Sequence, residues 1–579
     1  VAADDGILLA TDVYLSFGDG PWPVVLIRTP YDKNGLRLMG EALAVLGFAC
    51  VIQDTRGRFE SEGTDTVFRN DGDDGRTTLD WIAEQEWCNG SIGTLGGSAF
   101  AITGYLLAPD AHPALASMLA VVATPDLYHH AFLQGGALRQ ALAENWLADQ
   151  GAPAMYEEIR RHRLKDSWWD PAEVLDYSDR INAAGLHVGG WYDIFSQGTL
   201  DAFTTLQHRG GPDAAGRQYL IMGPWSHNSL GSREVGEISF PANAVLDPLD
   251  TIVPWLNHTL RGWPNDVTTW PTVLVYLMGG EEDGAPGNRW VELTDWPPPS
   301  HRRRLYLVED GRLSASVPSS GEREILIDPY DPVPTLGGNN LFADLVVDGR
   351  SMGDGPYDQR AIEERPDVLS FTTRPLSGPV TVMGRVSATL WIRPDTQDLD
   401  LAVRLTDVTP DGRSMLILDG IQRARMRCGD DRECLLVPGV PTEVTVDLWS
   451  TAMVFNTGHR IRIDVSGSNS PRFEVNPNNG EDLADDRPGI VARPELLFGP
   501  DYPSRVELPV LVSAIRRVAP RFHPLHAHPG FSTMRALEPA TTPGLLGQTF
   551  RELVQSNMNR PWWRAEPHPT DLGGRSGSR

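Results

Sequence analysis

The chain has 579 residues, 41% hydrophobic and 22% charged, with a formal net charge of −27. It is too long for one hydrophobic core, so roughly two to four domains are expected. So acidic a balance argues against nucleic acid or an anionic membrane surface as partner, because phosphates recruit basic faces.

No stretch is long and apolar enough to read as a membrane-spanning helix. Residues 6–14 open the chain as a strand. No signal peptide is visible, and cytoplasmic and exported locations both stay open. Residues 23–27 form a second strand, followed by a loop carrying Pro30, Tyr31, Asp32 and Lys33. A helix is predicted over 36–46, a strand over 48–52 running into Gln53, Asp54 and Thr55, and a helix over 73–84. Residues 91–101 come next. A short apolar run ends in Gly96 and Gly97, then come Ser98, Ala99, Phe100 and Ala101, and a helix continues to Leu107. A buried strand that turns sharply into a helix around a serine exposes the hydroxyl above the sheet. Small neighbours suit that crowded backbone, where one residue tends to positive φ. Of the pattern Gly-x-Ser-x-Gly, Gly96 is present and Phe100 replaces the last glycine. Alone, the stretch fits equally well a Gly-Gly-Ser turn without chemistry. A strand over 115–122 follows. Apolar strands alternating with helices predict a parallel sheet covered on both faces, with functional residues beyond the carboxyl ends of strands. Tyr31, Asp54 and Ser98 all stand there.

Residues 126–175 lose the strand pattern, and Trp146, Trp168 and Trp169 stand among helix formers. This reads as a helical insertion, either a lid over the site or a peripheral decoration. The earlier pattern returns in a strand over 186–193 that closes on Tyr192 and Asp193. A helix near 199–206 follows, then a strand over 218–222 leading to Trp225, Ser226 and His227. A helix over 253–260 and a final strand over 273–278 precede Pro297, Pro298 and Pro299, which mark a boundary. From about 300 to 515, short alternating runs at 304–308, 382–392, 400–406, 414–418, 442–448 and 460–465 predict an all-β sandwich or jelly roll. The expected division is an α/β domain over 1–125 and 176–300, a helical cap over 126–175, a jelly roll over 301–515 and an extension over 516–579. That extension is rich in Pro, His and Gly, with an amphipathic patch at 549–558 and an unstructured end. It could wrap another domain or a neighbouring subunit, so a homodimer stays open. Four cysteines are too few for a disulfide scaffold. Cys428 and Cys434 flank a polar hairpin tip and could pair in an exported protein, whereas Cys50 and Cys88 read as buried thiols. No Cys/His spacing suggests zinc.

Ser98, Asp193 and His227 thus stand at the ends of parallel strands in the order Ser, Asp, His. Each type is needed for acyl transfer. A serine hydroxyl is a poor nucleophile until an imidazole takes its proton, and a carboxylate fixes the imidazole tautomer and stabilises its cation. Singly, Asp193 could be a helix cap and His227 an ordinary loop residue. Their joint arrangement points to a serine hydrolase.

With Pro30-Tyr31-Asp32-Lys33, Asp54-Thr55-Arg56-Gly57, Glu86-Trp87-Cys88-Asn89-Gly90 and Asp328-Pro329-Tyr330-Asp331-Pro332, these residues resemble the cocaine esterase and X-prolyl dipeptidyl aminopeptidase family of serine hydrolases, most closely its cocaine-esterase-like branch. The resemblance spans about residues 5 to 515. It implies an α/β-hydrolase with a helical cap, followed by a C-terminal all-β jelly roll. It further implies Ser98 as nucleophile, His227 as base, Asp193 as its orienting acid, and an oxyanion hole made by the Tyr31 hydroxyl and the Ala99 N–H. It calls for no cofactor and no metal, and for a small-molecule ester or amide as substrate. Two departures stand out. Family members carry a tyrosine and a glycine where this chain has Ala99 and Ala101. The α-amino acid ester hydrolases bind the substrate ammonium through acidic residues where this chain has Phe195 and Ser196. A neutral or aromatic acyl ester is therefore favoured, with Phe132, Trp146, Phe195 and Trp225 as candidate pocket walls. The alternatives are an X-Pro dipeptidyl aminopeptidase, an amide or β-lactam acylase, and a non-catalytic binding protein.

Overall fold

A computed structural model describes residues 1–246, 249–282, 284–483 and 487–512. Its first body is a nine-stranded sheet. The strands are β1 (Thr11–Tyr14), β2 (Trp22–Thr29), β3 (Ala49–Asp54), β4 (Cys88–Gly97), β5 (Leu115–Val121), β8 (Ala184–Tyr192), β9 (Gln218–Ser226), β12 (Val273–Leu277) and β13 (Arg289–Leu293), and their spatial order is β1-β3-β2-β4-β5-β8-β9-β12-β13. Two small hairpins complete the numbering, β6–β7 (Leu133–Gln134 and Ala137–Leu138) and β10–β11 (Glu234–Val235 and Ile238–Ser239). The seven inner strands are parallel, and the edges β1 and β13 run antiparallel. β2, β3 and β8 are buried almost throughout because α1 (Arg37–Val45), α2 (Asp71–Ala83), α3 (Ala99–Leu106), α6 (Ser196–Arg209) and α7 (Leu249–Arg261) cover the sheet. The sequence pattern missed β13. Its Arg-Trp-Val-Glu-Leu alternation follows a Gly- and Pro-rich loop and pairs with the strand before it.

The second body is a sandwich of antiparallel sheets. Val380–Arg393 is its long spine, paired with Thr442–Phe455, Glu495–Phe498 and Arg505–Leu511. Leu369–Thr372, Arg460–Ser466, Asp400–Val408 and Ser414–Arg423 form the other sheet. Their inward residues, Leu390, Val444, Val403 and Ile463 among them, belong to one apolar cluster. That cluster continues through Val275 and Met278 into Val25 and Val188 of the first body, so the two bodies share a core.

Residues 126–175 carry α4 (Gln140–Asp149), α5 (Ala154–Arg161) and a single π turn, Tyr128–Phe132. The expectation of no β structure there is corrected by the β6–β7 hairpin. Its tip glycine Gly135 packs so tightly on the sandwich that a side chain would strike the Ile421 carbonyl. Glu474 of the sandwich accepts from Arg163 (2.8 Å) and Arg423 (3.3 Å), tying the insertion down. Cys428 and Cys434 are joined by a disulfide. Cys50 is buried as expected, whereas Cys88 is half-buried and its Sγ accepts from the Gly90 N–H. The tail over 516–579, including 549–558, lies outside the described residues.

The seam also carries a titratable link. The buried His459 ring bonds Asp407 through Nδ1 (2.8 Å) and Glu282, from the loop after β12, through Nε2. Hydrogen bonds and charge from both carboxylates outweigh burial and push the imidazole up to about 9. A base raised above its unfolded value of about 6.5 stabilises the fold fully below that pH, and this contribution is lost as pH rises through about 9. Differential scanning calorimetry at pH values from about 6.5 to 9.5 is expected to show Tm falling by roughly 2–4 °C more in the wild type than in His459→Gln.

Candidate active site

Strand ends deliver the site. β4 finishes at Gly97, and Ser98 enters α3 with φ 54° and ψ −126°. That conformation costs a non-glycine residue about 1–3 kcal/mol. It is held by the Ser98 N–H donating to the Val121 carbonyl (2.9 Å) and by the Ser98 carbonyl accepting from Ala101 and Ile102 (3.0 Å each). A Cβ on Gly96 would lie 2.5 Å from the Ala101 nitrogen, which explains the glycine before the serine. Ala99 and Ala101 are both buried, and the turn forms with them. Phe100 meets the Tyr31 ring edge-on at 5.4 Å. Ala99 opens α3, so its N–H has no acceptor within the helix.

β8 finishes at Tyr192 and β9 at Ser226, placing Asp193 and His227 side by side. A Cβ on Gly190 would lie 2.1 Å from the Trp225 carbonyl, so only glycine permits this approach. The His227 Nδ1 bonds Asp193 Oδ2 at 2.5 Å, and its Nε2 lies 3.1 Å from Ser98 Oγ. The other Asp193 oxygen accepts the Phe195 N–H at 2.8 Å. Asp193 is wholly buried and His227 nearly so. An acceptor carboxylate on Nδ1 implies that the imidazole proton sits there, which leaves Nε2 to accept from the serine.

Above Ser98 lies a cleft partly open to solvent. Tyr31 and Ala99 line it beside the serine. Ala131, Phe132, Leu142 and Trp146 enter from the 126–175 insertion, Ile194 and Phe195 from the loop after β8, and Ile102 from α3. Phe68 and Leu341 also line it, and among the described residues no acidic or basic side chain does. Trp146 donates its indole N–H to the Tyr31 hydroxyl at 2.8 Å and stacks on Phe68 at 5.6 Å. Burial pushes the Tyr31 phenol up to about 12, so it is a neutral donor at ordinary pH.

Of the expected walls, Phe132, Trp146 and Phe195 line the cleft. Trp225 does not. It lies in β9, packs against Trp290 and donates its indole N–H to the Ala244 carbonyl, away from the serine. Its ring belongs to the apolar core that also holds Val188, Leu230 and Ile252. Asp54 also stands apart. Its carboxylate accepts the Lys33 N–H (2.7 Å) and the Glu60 N–H (3.3 Å), bracing the loop that leads from Tyr31. Phe68 and Leu341 gave no sequence signal. Phe68 follows Val67, and both hold positive φ, 68° and 52°, in an irregular loop. Leu341 lies about 110 residues beyond His227, on a segment of the sandwich.

Residues 5–153 and 139–229 match the X-Pro dipeptidyl-peptidase (S15 family) domain, and residues 265–507 match the X-Pro dipeptidyl-peptidase C-terminal non-catalytic domain. A cocaine esterase of Rhodococcus sp. (strain MB1 Bresler) is 31% identical over 588 residues, covering 88% of this chain and 97% of that protein. The chain belongs to the cocaine esterase and X-Pro dipeptidyl-peptidase family. It is a serine hydrolase, which sets aside the reading as a non-catalytic binding protein. A putative serine esterase of Mycobacterium bovis is 25% identical, over 88% of this chain and 94% of that one. Among solved structures, an aminopeptidase from the archaeon Thaumarchaeota archaeon superposes with a TM-score of 0.75 at 24% identity, covering 88% of this chain and 95% of that one. This last likeness concerns the fold, an α/β-hydrolase followed by an all-β domain.

Proposed function

We propose that this hydrolase cleaves carboxylic esters of neutral, apolar acyl groups through an acyl-enzyme on Ser98. The observation that carries the reading is the relay from Asp193 through His227 to Ser98 Oγ, at 2.5 and 3.1 Å, opening on a cleft walled by apolar and aromatic side chains. His227 Nε2 takes the hydroxyl proton as Oγ bonds to the acyl carbon. Asp193 steadies the imidazolium that results. The oxygen that gains charge is held by the Ala99 N–H, at the positive end of α3, and by the Tyr31 hydroxyl. Collapse expels the alkoxide, which takes the proton from His227. A water deprotonated by the same nitrogen then releases the acid and restores Ser98.

Covalent labelling by a fluorophosphonate tests the reading. One label per chain is expected, on Ser98, and none on Ser98→Ala; a label that survives that replacement would sink it. Esters are favoured over X-Pro amides because, among the described residues, no carboxylate lines the cleft to receive a substrate ammonium; Asp149 acts on Tyr31 only from outside the lining. Turnover of a p-nitrophenyl acyl ester is expected to exceed that of an X-Pro p-nitroanilide, and the reverse ranking would favour the peptidase. The Trp146 indole N–H polarises the Tyr31 hydroxyl towards donation. Trp146→Phe keeps a ring against Phe68 and removes that donor. It is expected to lower kcat by about tenfold, the scale of one neutral hydrogen bond, with KM little changed.

A further inference from the structure

The segment of the sandwich between Gly337 and Gly355 reaches across to the two strand ends that carry Asp193 and His227. Asn339 is buried, and its side-chain amide donates to the Asp193 backbone carbonyl at 2.6 Å, with longer contacts to the Trp191 carbonyl and to Ser196 Oγ, both 3.3 Å. Two residues on, the Leu341 carbonyl accepts from the amide of Asn228, the neighbour of His227, at 2.9 Å. The Asp354 carboxylate also accepts from that amide (3.2 Å) and from the hydroxyl of Ser226, on the other side of His227. The segment is itself held by internal hydrogen bonds. The Asn340 amide ties Gly337 to Gly353 (2.9 and 2.7 Å), and Gly338 pairs with Gly355.

These contacts fall on both flanks of the His227–Asp193 pair, at and just past the ends of β8 and β9. The two loops leave adjacent strands, and their separation decides whether Nδ1 stays 2.5 Å from the carboxylate while Nε2 stays 3.1 Å from Ser98. We infer that Asn339 and Asp354 are positioning residues for the hydrolysis. They hold the acid and base loops in register from a region, residues 265–507, that matches a domain described as non-catalytic. The inference rests on the roles proposed above for Ser98, His227 and Asp193. A misplacement of about 1 Å at reacting groups can cost about 10²-fold in rate.

The test is turnover of a p-nitrophenyl ester by the full chain, with each preparation normalised to its fluorophosphonate-labelled Ser98. Asn339→Ala is expected to lower kcat per labelled site by about 10²-fold, with KM within about threefold of wild type. Asp354→Ala is expected to lose about tenfold, because Asn228 keeps its bond to Leu341. Asp354→Asn retains an acceptor oxygen and is expected to recover most of that loss. Wild-type kcat per labelled site in both alanine variants, whatever their Tm, would reduce the segment to a structural brace and overturn the inference. So would an Asp354→Asn variant as slow as Asp354→Ala. If Asn339→Ala does not fold, the Asp354 pair decides. A wild type that takes no label on Ser98 would instead overturn the proposed mechanism itself, so the two failures are distinct.

Discussion

Ser98→Ala is expected to reduce kcat by about 10⁴–10⁶-fold, leaving the residual rate that oxyanion donors and binding alone supply. The reason is chemical: the Ser98 hydroxyl is the one that lies 3.1 Å from His227 Nε2, and the alanine methyl cannot take the acyl group. His227→Ala is expected to cost a similar factor, since the hydroxyl then has no base. The double variant should be no slower than the worse single, because the pair acts as a unit. Rates measured with an activated p-nitrophenyl ester, on protein of wild-type Tm, decide this. A Ser98→Ala rate within tenfold of wild type, or a double variant a further hundredfold slower, would show that the acyl group is carried elsewhere.

Tyr31→Phe is expected to lower kcat by about 10²–10³-fold with little change in KM, the signature of a donor that acts on charge formed only in the transition state. The replacement is close to isosteric. The ring keeps its edge contact with Phe100, so the loss reports the hydroxyl. Because burial pushes that phenol up to about 12, the effect should hold at every pH where the enzyme is stable. The variant also leaves the Trp146 indole N–H facing an apolar edge, a cost of about 1–3 kcal/mol that thermal unfolding would register as a lower Tm. A kcat loss of less than about threefold would leave the Ala99 N–H as the working donor and Tyr31 as a wall of the cleft.

Much of this arrangement was legible in the amino-acid order, and for a physical reason. The sheet is parallel and covered on both sides, so its strands are written as short continuous apolar runs, and the residues just after each run form the mouth of the fold. Ser98, Asp193 and His227 stand there, and the fold brings the three within hydrogen-bond reach. Trp225 falls outside the cleft because aromatic identity does not reveal whether a ring fills the core or walls a site; it sits inside β9 among core side chains. Phe68 was invisible because its place depends on positive φ at both Val67 and Phe68, a backbone state that side-chain chemistry does not announce. Asn339 and Leu341 were invisible because their contacts to the loops after β8 and β9 are made only once a distant segment has docked. The β6–β7 hairpin was missed because its strands are two residues each, too short for any alternation to show.

The order in which the cleft is written along the chain has a consequence for synthesis. Ser98, Asp193 and His227 are all translated by residue 227, whereas Leu341, another wall of the cleft, comes more than a hundred residues later. The shared apolar cluster closes only when strands as late as Leu508 arrive. A growing chain therefore holds the reactive groups well before it holds the surface that completes the cleft around them. A product that stops near residue 300 would hold Ser98, Asp193 and His227 without Leu341 or Asn339 beside them.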